Sequence, residues 1–123
     1  MARANGGYTD FAPIPVNLSL LASSITVEDV AQVMEYDPET KERSPRTRED
    51  GAFQWEVDCL FRPIDGDQRH TVGIVPVKVW SKTRPAIKIG GPAQFVNSRV
   101  TPWAVNGRTG LSYAADDIKA VAQ

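Results

Sequence analysis

Apolar and polar positions alternate with a period of two along most of this chain, a pattern that predicts β-strands. In the stretch from Phe53 to Phe61, residues Phe53, Trp55, Val57, Cys59 and Phe61 fall on one side, and Gln54, Glu56 and Asp58 on the other. In the run that starts at Val72, residues Val75, Val77 and Val79 share one side while Ile74, Pro76, Lys78 and Trp80 share the opposite one. Both segments read as half-buried antiparallel strands. The linker from Ile64 to His70 contains Asp65-Gly66, a turn dipeptide, so the two strands are expected to form a hairpin.

The flanking segments are less regular. Residues 14–22 are strand-like, with Val16, Leu18 and Leu20 on one side. From Ser23 onward the pattern is ambiguous. As a strand, Ile25, Val27, Asp29, Ala31, Val33 and Glu35 would mix polar and apolar residues on one face. As a helix, Val27, Val30, Ala31 and Met34 would form a stripe behind a Thr26 cap. The β-branched residues and Tyr36 favour a strand over Asp29–Tyr36. Asp37 to Gly51 is polar, holds two prolines and lacks periodicity, which predicts a long mobile loop. After Trp80 a basic connection ends in Gly90-Gly91-Pro92. A fourth strand is expected over Ala93–Trp103, a tight turn at Asn106-Gly107, and a last strand from Leu111 whose tail finishes as a short helix. Residues 1–12 read as a flexible leader, and residues 13–123 as one domain.

About five short strands, little helix and one long polar loop between the first two strands point to an all-β fold. A five-stranded oligonucleotide-binding (OB)-like barrel is the economical expectation, and an SH3-like barrel fits the same pattern.

Composition narrows the classes. A length of 123 residues suits one core, and 41% hydrophobic with 24% charged residues is globular. The single cysteine, Cys59, rules out an internal disulfide framework and a Cys-rich zinc site, and its strand position reads as a small buried hydrophobe. No segment approaches the ~18 apolar residues of a membrane span. A cytoplasmic location and no membrane partner are expected.

Charge changes the picture more. The net charge is -1, but residues 1–61 carry 5 Lys/Arg against 11 Asp/Glu, and residues 62–108 carry 8 Lys/Arg against Asp65 and Asp67. The basic half also holds Trp80 and Trp103. Cations for phosphates and flat rings for bases are what a single-stranded nucleic-acid groove needs.

Three constellations carry that chemistry. The first is Lys78, Trp80, Lys82, Arg84 and Lys88, either a phosphate-and-base surface or a solvated edge strand whose lysines deter aggregation. The second is the polar loop, where Arg46 and Arg48 could close over a strand; Glu39, Glu42, Glu49 and Asp50 lie among its cations and favour a solvated loop. The third is Arg99 with Trp103, an indole that serves either as a stacking platform or as a plug for the end of a barrel. Trp55 reads as core. No catalytic residues, metal site or cofactor are expected. His70 stands alone in a turn, Asp65 and Asp67 fit a hairpin turn, Asp116-Asp117 fits a turn or helix start, and Gly90-Gly91 is too short for a phosphate-binding loop.

The order of elements adds a resemblance. A hydrophobic strand and a charged loop precede Trp55-Glu56-Val57-Asp58 and the valine-rich Val72–Trp80. Gly91-Pro92 with Phe95-Val96-Asn97, then Gly110-Leu111-Ser112-Tyr113-Ala114, complete the series. Together they resemble the small OB-type single-stranded DNA-binding, or helix-destabilising, proteins of plasmids, phages and integrative conjugative elements. The resemblance implies binding of a displaced strand during replication or transfer of an element, with the ligand across the second and third strands. It departs from that family in its non-basic net charge and in lacking an acidic tail at Ala120–Gln123. The ligand expected is single-stranded DNA without strong sequence preference, RNA not being distinguished, and self-association as a homodimer or higher oligomer stays open. The other reading is a protein-interaction or assembly module of a phage or mobile element with no nucleic-acid ligand.

Overall fold

The computed structural model describes residues 12–121, so most of the expected leader, residues 1–11, lies outside the described residues. The fold is all-β, with ten strands and one turn of 3-10 helix at Leu18–Leu20 among the described residues. Six strands form one sheet. In spatial order they are β1 (Ile14–Pro15), β8 (Arg99–Val105), β9 (Arg108–Ala114), β6 (Gly73–Ser81), β5 (Phe53–Arg62) and β2 (Ser24–Gln32). All neighbours are antiparallel except β6 and β9, which run parallel. β7 (Ala93–Val96) pairs with β10 (Asp117–Ala120), and β3 (Met34–Asp37) pairs with β4 (Glu42–Pro45), as separate two-stranded sheets.

The ladders do not close into a barrel. Single backbone bonds nevertheless tie the β7–β10 sheet to both ends of the β2–β5–β6 run. Val27 donates to the Gly91 carbonyl at 2.9 Å, Gly90 donates to the Val27 carbonyl at 2.6 Å, and Ala115 donates to the Lys78 carbonyl at 2.8 Å. The core fills the space between them. Val27, Val30, Trp55, Val57, Cys59, Val77 and Val79 come from the large sheet; Leu18, Ala93, Ala115 and Ile118 close over them. The indole N–H of Trp55 reaches the Ser81 carbonyl at 3.0 Å, so its one polar atom is satisfied as it is buried.

The strand pair at the centre matches the alternation of the sequence, with Val57 opposite Val77 and Trp55 opposite Val79. Elsewhere the structure corrects the expectation. Residues 14–22 give only a two-residue strand, because Asn17 accepts from the Ser19 N–H and starts the 3-10 turn. The helix considered near Val27–Met34 is absent: the register shifts between Val27 and Asp29, and that bulge sends both Val27 and Val30 inward. The expected loop from Asp37 to Gly51 contains β4, folded back on β3 through a turn in which Lys41 has φ 59°. The single strand expected over Ala93–Trp103 breaks at Asn97, which has φ 51° and separates β7 from β8. The final segment bends at Ala115-Asp116 into β10 and forms no helix. No helix among the described residues is long and apolar enough to cross a membrane.

Candidate nucleic-acid interface

Register decides which side chains share a surface, because residues directly paired across a ladder project from the same face. One row runs Ala31, Glu56, Lys78, Ala114, Arg99 across β2, β5, β6, β9 and β8. The adjacent row is Val30, Val57, Val77, Tyr113, Val100 and points into the core. The row through Lys78 therefore lies on the open face of the sheet. Trp80, two residues beyond Lys78, and Trp103, four residues beyond Arg99 in the other direction along the strands, fall on the same face by alternation. The two indoles are thus ~20 Å apart along the strand direction. Four of the nine residues singled out in the sequence, Lys78, Trp80, Arg99 and Trp103, are brought onto one surface.

The remaining five divide. Arg48 folds over this face, its guanidinium carbon 5.2 Å from the centre of the Trp80 ring. It also forms a two-pronged pair with Asp50, Nη2 to Oδ2 at 2.7 Å and Nε to Oδ1 at 3.1 Å. That pairing, helped by the Ala52 N–H, holds the Asp50 carboxyl down at about 2 and raises the Arg48 guanidinium above its ordinary value. Lys82 is close enough for its charge to add to the Asp50 shift. Arg46 turns instead toward Glu35 at 3.4 Å, on the β3–β4 hairpin. Arg84 and Lys88 are exposed on the connection from β6 to β7, outside the six-stranded sheet, so its register does not bring them onto this face.

The open face is not uniformly basic. Glu56 is paired with Lys78, Asp58 lies two residues along β5, and Asp29 of β2 stands directly across from Asp58. Arg99 bonds Asp116 at 3.0 Å, and Asn97 donates to the same carboxylate at 3.0 Å; the amide and then the guanidinium hold Asp116 below the ordinary carboxylate value. Glu56 and Asp58 were visible as the polar half of the β5 alternation, but their place beside Lys78 depends on register. Trp103 is 37% exposed and lies against Gly110 across the β8–β9 ladder, so it is a surface indole and plugs nothing.

A second feature is a cleft of about 230 Å³ at the other end of the sheet, lined by Leu21, Phe61, His70, Ile74 and Tyr113. Beside it Asp67 accepts from the backbone of Arg69 and His70 and pairs with the His70 ring at 2.8 Å, which makes it a turn-forming residue. No family model, no curated protein and no solved structure matches this chain.

Proposed function

We propose that the protein binds single-stranded DNA across the open face of its six-stranded sheet, without strong sequence preference. The observation that carries this reading is the common face of Lys78, Trp80, Arg99 and Trp103. Two indoles ~20 Å apart with cations between them give a strand two stacking points and an intervening backbone track. Arg99 would exchange Asp116 for phosphate, and Lys82 would extend the track past Trp80. RNA meets the same chemistry, and the proposed cellular role is to hold a displaced strand during replication or transfer of a mobile element.

The same reading takes the domain as an OB-like barrel. It is supported by the backbone bonds that join Gly90 and Gly91 to Val27, and Ala115 to Lys78, which link β2, β5, β6, β10 and β7 in a ring around one core.

The test is fluorescence anisotropy of a labelled ~30-nucleotide strand with duplex as competitor and tryptophan emission followed alongside. Neutralising four phosphates predicts a log–log salt slope of about -3. Trp80→Ala should weaken binding by about 1–3 kcal/mol. A slope near zero, or unchanged affinity in the folded variant, would defeat the reading.

One observation favours a protein partner instead. From Arg108 to Ser112 the β8–β9 ribbon has no ladder to β6, and it exposes Trp103, Val105 and Leu111. Two strands alone are marginal in water, so such a ribbon gains from being covered. Failure of the strand to bind, with self-association abolished by Leu111→Ser, would select that reading.

A further inference from the structure

Resting on the nucleic-acid reading above, we propose that Trp80 and Gln54 form a nucleobase site which Arg48 occupies in the free protein, and that the base it prefers carries an exocyclic amino group.

Three observations meet at this point. The guanidinium of Arg48 lies 5.2 Å from the Trp80 ring centre, and a planar cation over an indole covers the surface a base would use. Its other attachment is Asp50, and both side chains are open to solvent, at 44% and 52%. Exposed ion pairs hold weakly, so this latch can be exchanged. Directly across the β5–β6 ladder from Trp80, Gln54 is only 7% exposed, and its Oε1 is buried with no hydrogen-bond partner among the described residues. Buried acceptors without donors are uncommon in folded proteins and call for an explanation.

Backbone bonding brings the amide and the indole together. Gln54 donates its N–H to the Arg46 carbonyl at 3.0 Å, and its own carbonyl accepts from Val33 at 2.9 Å. Both groups therefore point away from β6, which makes Gln54 and Trp80 a non-hydrogen-bonded pair of the antiparallel ladder, the kind whose side chains approach most closely. A ring that replaces the guanidinium on Trp80 would lie beside the Gln54 side chain, with the unpaired amide oxygen as the acceptor for its edge. An oxygen can only accept, so the edge must donate. The exocyclic amines of adenine and cytosine do so, whereas thymine offers one ring N–H between two carbonyl oxygens that this acceptor repels. Arg48 thus keeps the platform covered until a strand displaces it.

The experiment measures oligo(dA), oligo(dC) and oligo(dT) binding to the full chain by anisotropy at moderate salt. Arg48→Ala should bind oligo(dA) and oligo(dC) about fivefold tighter than the unmodified protein, although it loses a positive charge, and should improve oligo(dT), which gains stacking without the Gln54 hydrogen bond, by less. Asp50→Asn, which frees the guanidinium without removing it, should shift affinity the same way by less. Arg46→Ala removes the same charge from the same segment away from Trp80 and should weaken all three strands. Gln54→Leu, which removes the unpaired amide, should stay folded and lose the preference for amino-bearing bases. If Arg48→Ala weakens all three strands as Arg46→Ala does, Arg48 is a phosphate contact and this inference fails while strand binding stands. If neither the unmodified protein nor any variant binds a strand at tens of micromolar, both fail.

Discussion

Glu56 stands directly across from Lys78 in the β5–β6 ladder, and both project from the open face of the sheet. A carboxylate at that position lowers the potential felt by a phosphate at Lys78. Glu56→Gln should therefore tighten single-strand binding roughly twofold to fivefold at low salt, the range of a cross-strand charge pair. Titrations with and without added salt check this: the gain should shrink as salt rises. An equal gain at all salt concentrations would show that charge is not its cause.

Gly110 sets the position of Trp103. A Cβ at Gly110 would lie 2.5 Å from Cζ2 and 2.7 Å from Cε2 of the indole, both rigid ring atoms. Gly110→Ala should push the ring off the β8–β9 ribbon into solvent. The expected result is red-shifted tryptophan emission and faster acrylamide quenching, with weaker strand binding and an intact far-ultraviolet spectrum. Unchanged emission would mean that the ribbon backbone moves to accommodate the methyl group.

Acid should destabilise the fold through its paired carboxylates. Asp50 is lowered from 3.8 to about 2 by Arg48 and the Ala52 N–H. Asp116 is lowered by Asn97 and Arg99, and Asp67 by the Arg69 N–H and the His70 ring. Folded values below unfolded ones give stability that is complete above the unfolded value and is lost as pH falls through the folded value. Melting temperature should stay level in this respect down to about pH 4 and decline from there toward pH 2. Asp50→Asn should flatten part of that decline, and thermal melts across the range measure it.

Cys59 should be chemically silent in the native protein. It is buried at 0% exposure, and burial, with Asp58 and Glu28 nearby, pushes its thiol up to about 12. Reaction with a thiol reagent at neutral pH should then follow opening of the sheet and accelerate with denaturant. Labelling at the rate of a free thiol in native buffer would contradict the burial.

Much of the central sheet was legible in the sequence because the alternation in Phe53–Arg62 and Gly73–Ser81 is clean and each strand buries one face. The same alternation placed Lys78 and Trp80 outward. What the pattern hid were single-residue irregularities. The bulge beside Glu28 turns a strand's spacing into a three-residue step from Val27 to Val30 that imitates a helix, and the left-handed Asn97 cuts one apparent strand into two that serve different sheets. The candidate site was legible in residue type but not in arrangement, for a related reason. Side-chain types named the cations and indoles, but pairing partners far along the chain, Asp116 for Arg99 and Glu56 for Lys78, come only with register.

The parallel contact of β6 with β9 has a consequence for how the molecule is made. Val77 meets Tyr113, and Lys78 receives the Ala115 N–H, only after β7 and β8 have been laid down. A chain emerging from the ribosome can form the β5–β6 hairpin early, but that hairpin has its apolar face bare until the last strands arrive. Such late, long-range closure slows folding and leaves the valine-rich strand open to wrong partners meanwhile. Truncation near the C-terminus should therefore yield an aggregating chain, where loss of a surface strand alone would only have trimmed the edge of the sheet.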